Sequence, residues 1–319
     1  MKKEVFQKEG LTFVSVENEK IKLTLCTLGA SIYRVEYNGV TMNLTPEEKY
    51  FSIEKYYHGK TIGPIPNRMK GSDVFVDRKM YVLESNEGEN TLHGGHTGYS
   101  TKVFDYQIEE KKDYTNVIFV LHLSEDDHAL PGDVTIYVKY HLEEDEDSFS
   151  LVFNALSSRD THLSLTNHTF FTLGDSNINK LMMMIPAFEY VKTDARELLP
   201  LEKERIVECL DFNEMKPLMQ DINNSLLMNH RTKGYDHCFY LDDNFVILRN
   251  DKYELEIHTN FECVQVYTDN YIDDATYYGT RDMIRRGVAI EPQDNILERE
   301  VLKGGETYYR YIKYTFRSL

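Results

Sequence analysis

Apolar and polar residues alternate along much of this chain, the pattern of strands whose two faces meet different surroundings. Successive side chains of a strand point to opposite sides of its sheet, so every second residue can enter a core. We therefore predict half-buried antiparallel strands wherever the alternation is sustained. The clearest runs lie at residues 20–25, 133–142, 149–153, 253–257, 264–266 and 311–317.

Turn signals separate these runs at short intervals and helical patterns are scarce. Asn38–Gly39, Pro131–Gly132 and Gly304–Gly305 are typical of tight turns. Two stretches favour helix, residues 201–210 and 221–231. The sequence shows no repeat, linker or low-complexity segment. We predict an all-β fold, a large antiparallel β-sandwich with few short helices, formed as a single domain over residues 1–319.

Composition excludes several classes of partner. The net charge of −17 is not offset by any Lys/Arg cluster, which argues against binding to nucleic acid or an anionic membrane. No segment approaches the ~18 apolar residues of a membrane span, and the N-terminal residues lack the apolar region of a signal peptide.

The four cysteines are widely spaced, which is typical of reduced thiols. We therefore expect a cytoplasmic protein. The cysteines are Cys26, Cys209, Cys238 and Cys263.

His93 begins a His-Gly-Gly sequence in which the backbone can turn sharply and a ligand can approach closely. The spacing His93-x-x-His96 could also indicate metal ligands. No further Cys or His cluster with metal spacing accompanies it, so we predict no metal and no cofactor. A structural or ligand-contacting histidine is the simpler interpretation.

His168 and Glu291 are the residues best suited to move protons. His168 lies in an alternating segment in which Thr166 would share its face, and imidazole titrates near neutrality. Glu291 ends the apolar run that begins at Val288, where desolvation would raise its pKa toward that of a useful base. We expect Pro292 to end this strand and Gln293 to hold the carboxylate. Either residue alone could instead be structural, with His168 bonded to a backbone carbonyl and Glu291 in a salt bridge.

Asp236 and Arg68 are polar residues in apolar or proline-bounded segments. Taken singly, an Asx turn and a surface ion pair would explain them. A ligand rich in hydroxyl groups, however, would need several such planar polar side chains, because a buried hydroxyl without a partner costs about 1–3 kcal/mol.

Taken in order, these segments resemble the aldose 1-epimerase (galactose mutarotase) family, and the resemblance spans residues 63–293. Pro64 and Thr172 depart from the family motifs, which have arginine and asparagine at these positions. Because of these departures, the sugar preferred by other members of the family is not carried over to this protein. The acid and base positions match. The matching motifs are Gly63–Met69, Leu92–Gly95, Leu165–Leu173, Asp236–His237, Gln265–Thr268 and Glu291–Gln293.

The resemblance implies a galactose-mutarotase-like β-sandwich with an open sugar cleft and a cofactor-free isomerase activity on a monosaccharide. Glu291 would be the general base that takes the C1 hydroxyl proton, and His168 the general acid that protonates the ring oxygen. The ring would open, rotate about C1–C2 and close as the other anomer. This scheme starts with His168 protonated and Glu291 ionised, and predicts a bell-shaped pH dependence. The implied sugar-binding positions are Asn67, Arg68, His93, Asp236 and Gln265.

Three alternatives stay open at this point. A hexose-phosphate mutarotase would require clustered Arg or Lys near the site, and Arg68 alone offers little. A carbohydrate-binding or sensing protein of the same fold would not need a matched acid and base. A glycoside hydrolase would need two carboxylates across the scissile bond, for which only Glu291 and Asp236 are candidates. The preferred aldose, the pathway and the choice between monomer and homodimer are not fixed by the sequence.

Overall fold

Antiparallel strands form the framework of the fold, and the structure, a computed structural model, describes residues 1–271 and 284–319. The described strands are β1 (Lys2–Lys8), β2 (Leu11–Glu17), β3 (Ile21–Cys26), β4 (Ser31–Tyr37), β5 (Val40–Thr41), β6 (Asn43–Leu44), β7 (Thr61–Ile62), β8 (Arg68–Met69), β9 (Asp73–Val76), β10 (Lys79–Val82), β11 (Thr91–Leu92), β12 (Asp105–Glu110), β13 (Tyr114–Leu123), β14 (Val134–Glu143), β15 (Ser148–Ser157), β16 (Thr161–His162), β17 (Thr166–Asn167), β18 (Phe170–Phe171), β19 (Met182–Met184), β20 (Glu189–Thr193), β21 (Pro200–Arg205), β22 (Lys216–Pro217), β23 (Asp236–Tyr240), β24 (Phe245–Arg249), β25 (Tyr253–Thr259), β26 (Cys263–Tyr267), β27 (Val288–Gln293), β28 (Val301–Leu302) and β29 (Thr307–Ser318).

Three large sheets organise these strands. The first has the order β1-β2-β3-β4-β5, the second β12-β13-β14-β15-β29-β25-β24-β19-β22, and the third β21-β20-β23-β26-β27-β18-β6. Their apolar faces share one continuous core, to which Leu23, Val138 and Val266 contribute from the first, second and third sheet. Burial of apolar area between sheets is the main stabilising term in such a fold. The predicted all-β sandwich is therefore confirmed.

The alternating runs of the sequence lie in strands as predicted. In β14, buried positions alternate with half-buried ones along its length, and β15, β25 and β29 flank it or lie nearby in the same sheet. The predicted turn at Asn38–Gly39 joins β4 to β5, with φ of 50° and 76°. Left-handed backbone at both turn positions matches the twist of a tight hairpin, which explains why Asn and Gly stand there.

Of the two predicted helices, one is present and one is wrong. The described α-helices are α1 (Glu48–Phe51) and α2 (Ser225–Asn229), and α2 lies inside the predicted span 221–231. Residues 200–205 instead form β21, an edge strand that pairs with β20. Cross-strand ion pairs such as Lys192–Glu204 and Lys203–Glu189 support it, so its charged residues serve an exposed sheet edge instead of a helix face.

Short 3₁₀ turns complete the described secondary structure, and none of its helices is long and apolar enough to cross a membrane. The four cysteines are buried and form no disulfide bonds, as the sequence predicts. The 3₁₀ turns are Tyr99–Thr101, Glu125–Asp127, Ile178–Lys180 and Glu208–Leu210.

Candidate active site

One cleft over the third sheet brings together every residue predicted for the site. These residues come from six separate segments between positions 67 and 291, and all are buried or nearly so, with at most 9% of any residue exposed. The cleft is lined by Asn67, Arg68, His93, His168, Asp236, Gln265 and Glu291.

The floor of the cleft is a sheet surface whose register fixes the spacing of its side chains. Gln265 of β26 lies directly opposite Glu291 of β27, and opposite Cys238 of β23 on its other side. Asp236 is two residues before Cys238, so it shares the same face. Asp236, Gln265 and Glu291 therefore point into the cleft from three adjacent strands.

A chain of hydrogen bonds connects these floor residues to the wall. Asn67 Nδ2 donates to Gln265 Oε1 at 2.9 Å, and Gln265 Nε2 donates to Asp236 Oδ1 at 2.6 Å. Arg68 Nη1 donates to Asp236 Oδ2 at 3.3 Å, and its Nε donates to Glu87 at 2.9 Å. Each planar group is thus oriented by its neighbours before a ligand arrives.

The charge on Arg68 is secured by its two carboxylate partners. Burial opposes the charged form, but Asp236 and Glu87 outweigh it and hold the pKa of Arg68 above its usual value. A buried guanidinium with planar partners is well suited to donate to sugar hydroxyls.

His168 lies between two short strands, which corrects the expectation of one continuous alternating strand. β17 ends at Asn167 and β18 begins at Phe170, and residues 165–173 are buried throughout. The backbone of His168 bonds the loop before β7 instead: its N–H donates to the Lys60 carbonyl, and its carbonyl accepts from Gly59. Burial on both faces explains why alternation could not describe this segment.

His168 and Glu291 meet directly at the floor of the cleft. His168 Nε2 lies 3.3 Å from Glu291 Oε1, and their side chains are only 7% and 2% exposed. Burial lowers the pKa of His168, and the nearby His58 lowers it further. Burial, then the charge of Asp236, raises the pKa of Glu291 well above its usual value.

Both shifts act against the charged forms of His168 and Glu291 from which the expected reaction starts. Burial penalises both charged forms and so favours a neutral imidazole beside a protonated carboxyl group. The pair still carries one proton in total, and it titrates as a unit. The proton needs to cross only the 3.3 Å contact to give the imidazolium–carboxylate form.

His93 is a neutral hydrogen-bond donor. Its Nδ1 accepts from the backbone N–H of Asn67 at 3.2 Å, so its proton is on Nε2. Burial lowers the pKa of His93 well below the usual value, and His168 and Arg68 lower it further. His96, its possible metal-binding companion in the sequence, is exposed.

The spacing of His93, His168 and Glu291 alone would suit a metal ion, since one ligand atom from each lies within 4.8 Å of the others. The tautomer of His93 opposes that use. Metal-ligating histidines normally donate a hydrogen bond through their second nitrogen, whereas here Nδ1 is already an acceptor. The three residues fit a proton-transfer site better than a metal site.

Two expectations about the Glu291 segment are wrong. Pro292 does not end the strand, since β27 continues through Gln293 and pairs with β26 along its length. Gln293 does not hold Glu291; its amide donates to Cys238 Sγ at 3.3 Å. Glu291 Oε2 is buried and has no hydrogen-bond partner among the described residues.

The cleft also contains residues that the sequence did not single out. Tyr57, Glu87 and Tyr267 line it together with Lys55 and Tyr56. Glu87 lies in none of the motifs considered above, and it joins the cleft through ion pairs with Arg68 and Arg231, which are 19 and 144 residues away in the sequence. A signal for Tyr267 was present, because it follows Gln265 in the motif Gln265–Thr268 and lies directly opposite Asp236.

The similar proteins of known function are aldose 1-epimerases and galactose mutarotases. The sequence is 29% identical over 288 residues to the aldose 1-epimerase of Haemophilus influenzae, covering 84% of this chain and 83% of that protein. It is 27% identical to the galactose mutarotase of Mus musculus, covering 84% and 81%.

Solved structures show the same fold. A galactose 1-epimerase from Lactobacillus acidophilus superposes with a TM-score of 0.88 at 22% identity, covering 99% of both chains. An aldose epimerase homologue from C. elegans gives 0.84 at 23% identity, covering 97% of this chain and 99% of the other. The sequence model described as aldose 1-epimerase matches residues 12–315. With this match across nearly the whole chain, and with the cleft that its motifs build, the protein belongs to the aldose 1-epimerase family.

Proposed function

We propose that this protein is an aldose 1-epimerase that interconverts the α and β anomers of an unphosphorylated hexose such as galactose or glucose. The observation that carries the proposal is the contact between His168 and Glu291 at the floor of a cleft lined by planar polar groups. An acid and a base that share one proton supply what anomer exchange requires without a cofactor.

The reaction keeps the proton count of the pair constant. With the pair in its imidazolium–carboxylate form, Glu291 removes the proton of the C1 hydroxyl and His168 protonates the ring oxygen. The C1–O5 bond breaks and an open-chain aldehyde forms. Glu291 is then protonated and His168 neutral, which is the form that burial favours. The desolvated pair therefore stabilises the ring-opened stage relative to the closed sugar.

Ring closure reverses these transfers on the other carbonyl face. After rotation about C1–C2, neutral His168 takes the proton of the C5 hydroxyl as its oxygen attacks C1. Glu291 returns its proton to the former carbonyl oxygen, and the other anomer is released. Each group acts as acid in one half and base in the other, so neither proton has to reach bulk water.

The remaining cleft residues are assigned to sugar binding. Arg68 and His93 present N–H donors, and Asp236 is an acceptor oriented by Gln265. Asn67 links this group to the turn that carries Arg68. The same chain of bonds leaves few orientations for the sugar hydroxyls, which fixes C1 over the acid–base pair.

Polarimetry of freshly dissolved α-galactose and α-glucose tests the proposal. The wild type should accelerate the approach to anomeric equilibrium, and Glu291→Gln or His168→Asn should each lose about 10²–10⁴-fold in rate. His122→Asn and Glu306→Gln change exposed residues outside the cleft and should keep wild-type rates. A chelator should leave the wild-type rate unchanged.

Other results would redirect the assignment. Acceleration only with a hexose 6-phosphate would favour the phosphate-specific enzyme. Sugar binding without acceleration would favour a sensor of the same fold. Release of an alcohol from a glycoside would favour a hydrolase. Rates of the two site variants equal to the wild-type rate would remove His168 and Glu291 from the mechanism.

We also propose that residues 1–319 form one domain and that the protein acts in the cytoplasm. The core shared by the three sheets supports the first, and the four free cysteines support the second.

A further inference from the structure

The segment Glu54–Lys60, hereafter the 54–60 segment, packs against the backbone that carries His168. Gly59 donates its N–H to the His168 carbonyl at 2.9 Å, and the His168 N–H donates to the Lys60 carbonyl at 3.0 Å. Asn167 Nδ2 adds a bond to the Gly59 carbonyl at 2.7 Å. The position of His168 therefore depends on this segment.

A buried ionic network holds the 54–60 segment in place. The Glu54 side chain is fully buried; one oxygen pairs with Lys60 Nζ at 2.5 Å and the other lies 3.2 Å from His58 Nδ1. The second oxygen also accepts the backbone N–H of Tyr56 at 2.6 Å. A buried carboxylate with several partners fixes the conformation of the residues between them.

This network presents Tyr57 to the cleft. Tyr57 has a left-handed backbone with φ of 59°, which is uncommon for an aromatic residue. Its ring centroid lies 4.8 Å from that of His93 and 5.9 Å from that of His168. One aromatic ring thus touches both histidines of the site.

The Tyr57 hydroxyl is prepared to donate. It accepts from Asn86 Nδ2 at 3.3 Å, and no acceptor for its own proton lies within hydrogen-bond distance among the described residues. Burial, followed by the charges of Glu54 and Glu87, raises the pKa of Tyr57 to about 12, so the phenol keeps its proton at neutral pH. A lone donor at the wall of a polar cleft matches a sugar oxygen.

We propose that Tyr57 is a further sugar-binding residue, whose hydroxyl donates a hydrogen bond to a sugar oxygen while its ring sets the mutual orientation of His93 and His168. This inference rests on the proposed function of the cleft. It adds a contact from a segment outside the motifs that identify the family here.

Sugar binding without turnover gives the first test. The dissociation constant of galactose is measured by calorimetry on Glu291→Gln and on Glu291→Gln with Tyr57→Phe. Loss of one neutral hydrogen bond should weaken binding about 3- to 10-fold. The same double variant with Tyr106→Phe in place of Tyr57→Phe alters an exposed tyrosine of β12 and should bind like Glu291→Gln.

Kinetics separate the hydroxyl from the ring. Tyr57→Phe alone should raise KM with little change in kcat, because the ring and both histidine contacts remain. Tyr57→Leu should also lower kcat, since the histidines lose the surface between them. Circular dichroism confirms that each variant is folded.

The proposal would be overturned if Glu291→Gln with Tyr57→Phe bound galactose with the same dissociation constant as Glu291→Gln. A lower kcat at unchanged KM in Tyr57→Phe would also contradict it. Such a result would mean that the hydroxyl acts only in the transition state and does not bind the sugar in the ground state. If the wild type accelerates the anomer exchange of neither galactose nor glucose, the sugar function itself fails, and the inference fails with it. If only Glu291→Gln fails to bind sugar, the KM of Tyr57→Phe decides the inference.

Discussion

His168 Nε2 and Glu291 Oε1 are 3.3 Å apart in a part of the cleft almost closed to water. At that distance the two groups can exchange a proton directly, and a single proton serves both. The protonation states of the two groups are thereby coupled: whenever one member is an acid, the other is a base. Activity should therefore persist over the pH range in which the pair holds one proton, and fall when it holds none or two.

Replacing Glu291 should stabilise the fold at high pH. In the unfolded chain a Glu carboxyl titrates near about 4.3, and burial raises its pKa in the folded protein. The folded state then binds the extra proton between these two values, so the wild type loses stability as pH rises through that window. Gln has nearly the same shape and does not titrate. At pH 8 the melting temperature of Glu291→Gln should therefore exceed that of the wild type. The expected rise is about 2–4 °C for each kcal/mol by which the substitution increases the free energy of unfolding.

Thermal melts from pH 4 to pH 8 check this prediction. The gap between Glu291→Gln and wild type should close toward pH 4, where the carboxyl is protonated in both states. The exposed substitution Glu306→Gln should show no such trend. A gap that is constant with pH would contradict a raised pKa for Glu291.

Asp236→Asn should weaken sugar binding and shift the titration of Glu291. The variant removes the charged acceptor proposed for a sugar hydroxyl, and hydrogen bonds to charged groups contribute about 1.5–3 kcal/mol, so KM should rise about 10- to 100-fold. Burial and then the Asp236 charge raise the Glu291 pKa, so without that charge Glu291 should titrate at lower pH. Initial rates at several sugar concentrations, measured between pH 4 and 9, give both quantities. Asp105→Asn, on an exposed edge strand, should change neither.

Gly59 and Gly39 form a matched pair for testing the backbone that supports His168. Both have left-handed φ, 66° and 76°, but a Cβ at Gly59 would lie 1.9 Å from the Ile32 carbonyl oxygen, whereas nothing lies within 4 Å at Gly39. Gly39→Ala should cost about 1–2 kcal/mol from the backbone conformation alone. Gly59→Ala should cost clearly more and lower activity in whatever protein folds. Urea unfolding compares the two, and equal losses would show that the loop adjusts without cost.

Glu54→Gln should destabilise the protein most at neutral pH. Burial disfavours the charge on Glu54, but His58 and Lys60 outweigh it and lower its pKa to about 2. Its contribution is therefore full above the unfolded value and is lost as pH falls toward 2. Breaking a buried pair costs about 3–5 kcal/mol. Urea unfolding at pH 7 and at pH 3.5 should show the gap to wild type shrinking at the lower pH, and a gap that widens would refute the ionised state.

The sequence was most informative where one face of a strand meets the core. β14, β25 and β29 follow the alternation closely, and the apolar run before Glu291 correctly indicated burial. The segment around His168 is buried on every side, so periodicity has no meaning there. The strand at 200–205 was misread because cross-strand charges on a sheet edge resemble the charged face of a helix.

The sequence motifs selected candidate site residues that the fold brings together. The predicted residues meet in one cleft, but Tyr57 and Glu87 were missed because their contacts join loops far apart in the chain. Tyr57 meets His93 and His168 only through the folded path of the 54–60 segment. The raised pKa of Glu291 agrees with the prediction from its apolar segment, whereas the lowered pKa of His168 was beyond the sequence because it depends on how completely the folded cleft buries the imidazole.

The cleft has two kinds of boundary, and they differ in how freely they can change. Asp236, Gln265 and Glu291 are fixed by the register of three neighbouring strands, so moving any one of them would require shifting a whole sheet. Asn67 and His93 stand at left-handed turns beside β8 and β11, outside the third sheet, so replacing either side chain leaves the register of that sheet unchanged. Directed evolution toward other aldoses should therefore gain most from libraries at Asn67, His93 and Tyr57, with Glu54 and Gly59 left unchanged because they support the backbone of His168.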